Sequence, residues 1–373
     1  MVDPLMNGKR LLRLGMGLGG LFLLFACAYT PDKGEANPQA DAGPPLWPAP
    51  PELPRFAYEA TLRSLADIIL ESEADRLRRL VTGAPLPDKP VFAKPSALVA
   101  RHGRIYMADT AYRRIAVFDV SRRRVFAIGL REAGRLTKPV GLALDAAGNV
   151  YVMDATAKRV YVYDSLGLFR HGLGNPGDFE RPVGVAVNPA GTRVYVVDRA
   201  TNQSDRHRVV ALDGEGKKLF EIGRRGGAEG EFNVPVQAAV ARDGTLYVLD
   251  AGNFRVQAFD PDGRFLRAFG RVGAGFGNFA RPRGIAVDKE GNIYVADASF
   301  GNFQVFNSEG LLLLAVGRLG RTDQPGRYGL LAGIAVDETG RVYLADQLFN
   351  KVEVIRKLSE EEGRRLVTAA RLR

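Results

Sequence analysis

Between about residue 91 and residue 357, short apolar runs alternate with polar turns, and one order of runs returns six times. Each copy is marked by Tyr-x-x-Asp, at Tyr106–Asp109, Tyr151–Asp154, Tyr195–Asp198, Tyr247–Asp250, Tyr294–Asp297 and Tyr343–Asp346, at intervals of 45, 44, 52, 47 and 49 residues. A small-residue run precedes each mark: "ALVA" from Ala97, "GLALD" from Gly141, "GVAVN" from Gly184, "QAAVA" from Gln237, and "GIAVD" from Gly284 and again from Gly333. A third run follows, such as "RVYVYD", "RVQAFD" or "KVEVIR", and usually a fourth, such as "RFLRAFG". Runs of four to six residues rich in Val, Ile, Tyr and Phe and bounded by turns predict β-strands.

The turns have their own chemistry. "DAAG", "NPAG", "DKEG" and "DETG" separate runs one and two, while "DSLG", "DGEG", "DPDG" and "NSEG" separate runs three and four. An Asp or Asn that bonds its own backbone, followed by a Gly that accepts positive φ, closes a short hairpin. Each copy is therefore a four-stranded antiparallel meander, apolar on both faces. Radial packing covers both faces at once, so the fold class is all-β, a six-bladed β-propeller. The Gly or Ala opening the first strand suits the crowded innermost position.

Closure needs a strand from elsewhere. The sixth copy ends after three strands at "KVEVIRK", and "RFAYEATL", residues 55–62, supplies the missing fourth, so the propeller occupies residues 55–358. Between that strand and blade one, Leu65, Ile68, Ile69, Leu77 and Leu80 have rough helical spacing, predicting a helical insertion over about 64–82 packed on one end or edge. Ser359 and Glu362 form a capping-box pattern that opens a C-terminal helix over 359–373.

These units resemble the NHL repeat, which reads like "P-x-G-I-A-V-D-x-x-G-x-I-Y-V-A-D-x-x-N-x-R-V-x-V-F-D". "RPRGIAVDKEGNIYVADASFGNFQVFN" and "RDGTLYVLDAGNFRVQAFD" carry the likeness best. Gln304 and Lys351 are read as standing where the family favours Arg, and blade three has an enlarged loop.

The amino terminus changes the picture of where this propeller works. "KRLLRLGMGLGGLFLLFAC", residues 9–27, has the basic start and apolar stretch of a signal peptide (residues 1–26) and ends like a bacterial lipobox. Cys27 is the single cysteine of 373 residues, so it is the expected lipidation site and no internal disulfide can form. A plain signal peptide or an N-terminal anchor with an incidental cysteine is the other reading. Residues 27–54, with "NPQADAGPPLWPAPPELP", read as a Pro-rich tether whose Trp47 packs onto the domain. Together these features resemble bacterial NHL-type propeller lipoproteins, held on the extracytoplasmic side of a membrane by a lipid anchor.

Candidate chemistry is sparse. The six Tyr-x-x-Asp aspartates recur in every blade, which marks them as architecture: they are expected to accept N–H bonds and to pair with Arg114, Arg159, Arg208, Arg255 and Lys351. The three histidines, His102, His171 and His207, fall on different parts of the repeat, so a three-histidine metal site of the kind some six-bladed lyases use is not expected. Asp260 and Asp262 before Gly263 hint at calcium only weakly, because a calcium loop needs twelve residues of ligands. No nucleophile motif, phosphate loop or CxxC pair is present, so no catalytic residue, metal or cofactor is expected.

What remains is a binding surface. Net charge is +10; the first 26 residues hold Lys9, Arg10, Arg13 and Asp3, so their removal leaves +8. The links between blades and the loops joining strands two and three share one face. Lys94, Lys138, Arg181, Arg281 and Arg283 stand beside the first-strand proline. Blade three adds "RATNQSDRHR", with Arg199 and Arg206, and blade five adds Phe300 and Phe303. The link from blade five to six holds Arg318, Arg321, Arg327 and Tyr328. Basic and aromatic residues together suit an acidic envelope protein, peptide or glycan. Eukaryotic NHL propellers bind RNA through such a face, but an exported chain is not expected to meet nucleic acid. The expectation is a non-catalytic interaction, scaffold or ligand-sensing module; a propeller-type hydrolase or lyase working in the central channel is the alternative, and a polar channel holding a metal would distinguish it.

Overall fold

The computed structural model describes residues 44–68, 73–83 and 90–371. The signal segment, Cys27 and most of the tether lie outside the described residues. Six sheets of antiparallel strands form the blades. Blade one comprises Pro95–Arg101, Arg104–Asp109, Arg114–Asp119 and Arg124–Ile128, paired in that order. Blades two to five repeat this plan over Pro139–Leu173, Pro182–Ile222, Pro235–Phe269 and Pro282–Val316.

The first strand of each blade begins opposite the end of the second. Pro95 faces Asp109, Pro139 faces Asp154, Pro182 faces Asp198, Pro235 faces Asp250 and Pro282 faces Asp297. In blade six Leu331 takes the proline's place opposite Asp346. Proline is tolerated there because a strand's first residue need not donate to the ladder. The small residues that follow allow the blades to crowd. A Cβ on Gly141 would lie 2.9 Å from Gly184 Cα, and one on Gly184 would lie 3.0 Å from the Val236 carbonyl oxygen.

The core is a ring of clusters between neighbouring blades. Val152 and Tyr163 of blade two meet Tyr106 and Val117 of blade one; Leu344 and Ile355 of blade six meet Tyr294 and Phe303 of blade five. Every blade thus buries both faces, as its two-sided apolar strands require.

Blade six consists of Leu331–Val336, Val342–Asp346 and Lys351–Lys357, and Phe56–Leu62 is its fourth strand. Phe56 pairs with Lys357 and Leu62 with Val352, so the amino-terminal strand closes the ring. Leu46–Trp47 then pairs with Ala57 and Phe56 as a fifth, outermost strand. The Pro-rich segment is therefore part of the propeller from about residue 44, not a tether through residue 54. An edge is where such a segment can pair, and Trp47 packs on the cluster between blades five and six.

The insertion differs from a single packed helix. Ser64 caps a one-turn helix at Leu65–Asp67, and the α-helix runs Glu73–Thr82. Ile68 is buried and Leu65 packs beside it between blades six and one, but Leu77 and Leu80 are exposed, so they do not pin the α-helix to the propeller. Ile69 lies outside the described residues. The C-terminal helix, Glu360–Arg371, forms as its pattern predicts. Ser359 Oγ accepts from Glu362 N at 3.2 Å, and Glu362 accepts from Ser359 N at 2.9 Å.

Candidate binding site at the loop-bearing face

The six repeated aspartates build this face. All are fully buried at the ends of second strands. Asp297 accepts from Ala280 N at 2.8 Å and Arg281 N at 2.9 Å in the blade link, and from Ser299 N at 2.8 Å in its own loop. Asp346 does the same with Gly329 and Leu348. In four blades the carboxylate thus staples a link to a loop through backbone N–H groups, while Asp250 reaches its loop through the Asn253 amide and Asp198 holds the link and Arg208. Burial alone would raise the Asp154 carboxyl, but N–H bonds from Ala157, Thr137 and Lys138 outweigh it and hold the group below the usual range.

The expected pairing with basic residues is found in two blades. Arg208 lies 3.3 Å from Asp198, and Arg255 lies 2.9 Å from Asp250. Arg114 instead donates to the Val91 carbonyl, and Arg159 donates to the Gly174 carbonyl. Lys351 meets Asp323 at 3.1 Å and Glu353 at 3.5 Å. In these blades backbone N–H groups already satisfy the aspartate. Gln304 is also reassigned. Asn302, not Gln304, stands opposite Asp297 as Arg255 stands opposite Asp250. Gln304 matches Gln257: each accepts from a link glycine, Gly277 or Gly230, and donates to the next carbonyl.

The histidines are far apart in role. His102 sits in a first-to-second strand turn against Glu338 at 3.0 Å, on the face opposite the loops. His207 is buried, accepting at Nδ1 from Val234 N, and His171 lies in an outer strand. Among the described residues no group of three His, Cys, Asp or Glu side chains could hold a metal. Asp260 Oδ1 accepts from Asp262 N and Arg264 N, so that segment is a hairpin turn.

Of the expected binding residues, two belong to the core. Phe303 is fully buried with its ring edge-on to Phe56 at 5.9 Å, and Tyr328 is fully buried between blades five and six. Phe303 turns inward because its strand is covered on both faces, and Tyr328 because the blade link carries its ring into the cluster between blades five and six. Phe300 is half-buried, its N–H on Asp297. Lys94, Lys138, Arg181, Arg206, Arg281 and Arg321 are exposed on the loop face. Arg327 is half-buried; burial, then the nearby Arg318, depresses its basicity.

The channel opens on this face into a small cavity of about 220 Å³ lined by Arg199, Arg283, Gln237, Gln347 and Ser96. Burial, then Arg181 and Arg283, depresses Arg199. Burial, then Arg281, depresses Arg283, which is open to solvent yet walled by protein, as a side chain in a channel mouth is. Both stay charged at neutral pH, because guanidinium does not lose its proton in proteins. The opposite mouth is larger, about 580 Å³, and its walls are mostly Ala, Val and Ile of the first strands. Aspartates at or beside it are satisfied: Tyr151, Tyr294 and Tyr343 donate to Asp145, Asp288 and Asp337 at 3.2, 3.0 and 2.8 Å.

Sequence reasoning missed Gln237, Gln347 and the exposed Phe276 of the link between blades four and five. Gln237 had a visible mark. At the ring position filled by Ala97 or Gly in the other five blades, blade four alone carries a long polar side chain.

Against known proteins, the sequence model of the NHL repeat matches residues 279–306. Blade five is an NHL repeat. The match covers the NHL unit from the blade link to the end of its third strand. A search of curated proteins gives no match. Among solved structures, similar chains include a structural genomics protein of unknown function from Bacteroides thetaiotaomicron, with TM-score 0.58, 17% identity, and 72% of this chain and 70% of that chain covered. A gluconolactonase from Xanthomonas campestris is similar with TM-score 0.54 and 16% identity, over 81% of this chain and 98% of that one. A catalytically inactive virginiamycin B lyase from Staphylococcus aureus, with quinupristin, is similar with TM-score 0.50 and 15% identity, over 73% and 83%. At such identities the likeness establishes the propeller fold alone.

Proposed function

We propose that this NHL-repeat propeller is a non-catalytic interaction module, held by a lipid on Cys27 at the extracytoplasmic side of a bacterial membrane, that takes an acidic protein, peptide or glycan on its loop-bearing face. The supporting observation is a set of unpaired cations gathered on that face. Elsewhere some arginines are paired, such as Arg104 with Asp119 at 2.7 Å and Arg341 with Glu59 at 2.7 Å. On the loop face the side chains of Lys138, Arg181, Arg199, Arg281, Arg283 and Arg321 have no hydrogen bond or ion pair among the described residues. Unpaired charges of one sign raise the potential of a face and steer an oppositely charged partner to it.

The test is capture from envelope extracts by the intact chain and by an Arg206→Gln, Arg281→Gln, Arg321→Gln variant. Exposed substitutions change stability by less than about 0.5 kcal/mol each, so a loss of capture is separable from misfolding. Capture should weaken with salt, since exposed charges are screened beyond about 8 Å at physiological ionic strength. Salt-independent capture that survives the triple substitution moves the site to another face.

A further inference from the structure

The loop face narrows to a mouth whose polar groups can be counted. Ser96 Oγ is held by the Ala108 and Pro139 carbonyls at 3.2 and 3.0 Å. The Gln347 amide donates to the Pro95 carbonyl, and the Gln237 side-chain carbonyl accepts from Ile285 N at 3.3 Å. Among the described residues the side-chain groups left without partners are three donors, the Gln237 amide nitrogen and the guanidinium groups of Arg199 and Arg283, and one acceptor, the Gln347 side-chain carbonyl. No Asp or Glu among the described residues lines this cavity. Arg181 and Arg281 stand close enough behind to act on the inner pair. A fold that brings like charges to one pocket with no counterion loses stability unless a ligand supplies it.

Resting on the proposed reading of this face, we infer that the channel mouth is a carboxylate-binding pocket, in which an acidic group borne by the ligand is clamped between Arg199 and Arg283 above the Gln237 amide. Guanidinium forks match a carboxylate bidentately, which gives selectivity as well as charge. A cavity of about 220 Å³ has the volume of about seven water molecules, so it takes a carboxylate with a few attached carbons, such as an acidic side chain, a chain terminus or a sugar acid. The bulk of a larger partner stays on the rim.

Glutarate and glucuronate are the probes, with glutaramide, glucose and sulfate as controls, added to the full chain in thermal-shift and calorimetric titrations. A saturable rise in Tm with glutarate or glucuronate, absent with glutaramide and glucose, is expected, and the one that binds tighter tells a side-chain or terminal acid from a sugar acid. Arg199→Gln and Arg283→Gln should each weaken binding at least tenfold. Each free variant should melt no lower than the wild type, because a like charge has been removed; this shows that a lost shift is not lost folding. Equal shifts with glutarate and glutaramide, binding retained by the double variant, or sulfate binding as tightly as glutarate would overturn the pocket. If glutarate does not bind but extract capture still depends on Arg206, Arg281 and Arg321, the pocket fails and the face survives. If glutarate binds and capture ignores those three, the pocket survives and the face fails.

Discussion

Phe56→Ala tests how the ring is closed. Phe56 opens the closing strand, is only 4% exposed, and sets its ring edge-on to Phe303 at 5.9 Å and Tyr294 at 6.5 Å. Those rings belong to blade five, whereas the strand pairs with Lys357 in blade six. One side chain thus fastens the amino-terminal strand to two blades. Truncating a packed phenylalanine removes its burial and leaves a cavity, at a cost of about 3–5 kcal/mol. Unfolding entropy is about 2.1 cal/mol/K per residue, so a propeller of about 300 residues loses about 0.6 kcal/mol per degree, and Tm should fall by about 5–8 °C. Leu313→Ala is the control: that leucine is 42% exposed on the outer strand of blade five and should shift Tm by less than a degree. Hydrogen exchange should accelerate in Lys351–Lys357, whose outer partner is loosened. A Tm within about 2 °C of wild type, with unchanged exchange in that strand, would refute the clasp.

Other predictions concern single groups. Glu353 is fully buried, and burial outweighs Lys351 in raising its carboxyl above the ordinary range, so folding holds its proton more tightly than the unfolded chain does. Wild-type stability attributable to this group is therefore lost as pH rises from about 4.3 through the raised value, and the Tm advantage of Glu353→Gln should grow across that window; a pH-independent difference contradicts it. Gln237→Gly clears the channel axis at a cost of about 1 kcal/mol and removes an amide donor, so glutarate affinity should fall several-fold in calorimetry. Cys27→Ser should release the chain from membranes on fractionation, and an unmodified Cys27 inside a longer mature chain by mass spectrometry would end the anchoring proposal.

The repeat, the turns, the closing strand and the capping box were legible because each is a local pattern with one solution: Gly263, at φ 86°, closes the hairpin that Asp260 opens. Side-chain direction was not legible at the ends of two-sided strands. Phe303 looks like a loop aromatic in sequence yet is fully buried, because period-two alternation carries no signal where both faces are covered, and Tyr328 is a link residue that tucks between blades. Gln304 misled for a related reason. "NFQVF" aligns by letters with "NFRVQ", but the register places Gln304 level with Gln257. The exposed Leu77 and Leu80 show the converse, since helical spacing predicts a helix but not what covers it.

The charge of the loop face follows partly from the architecture. Each blade spends one aspartate there on backbone N–H groups of the link, in four blades also of the loop, and all six are buried. Glu180, a further acid of this face, is tied to Thr201 N at 3.0 Å and Ser204 Oγ at 2.7 Å. Fewer acids are thereby left to pair with the cations of the face, whatever the protein binds, and rim charges such as Lys138 need no further explanation. Arg199 and Arg283 do. They stand beside the channel at positions where every other blade carries an uncharged residue, and they lie near a glutamine that only blade four places at its ring position. Architecture accounts for a positive face but not for two arginines converging on a pocket that no acid lines among the described residues. That departure from the repeat is where a ligand is to be sought, because a propeller's shared positions build the ring and its unshared ones are free to carry function.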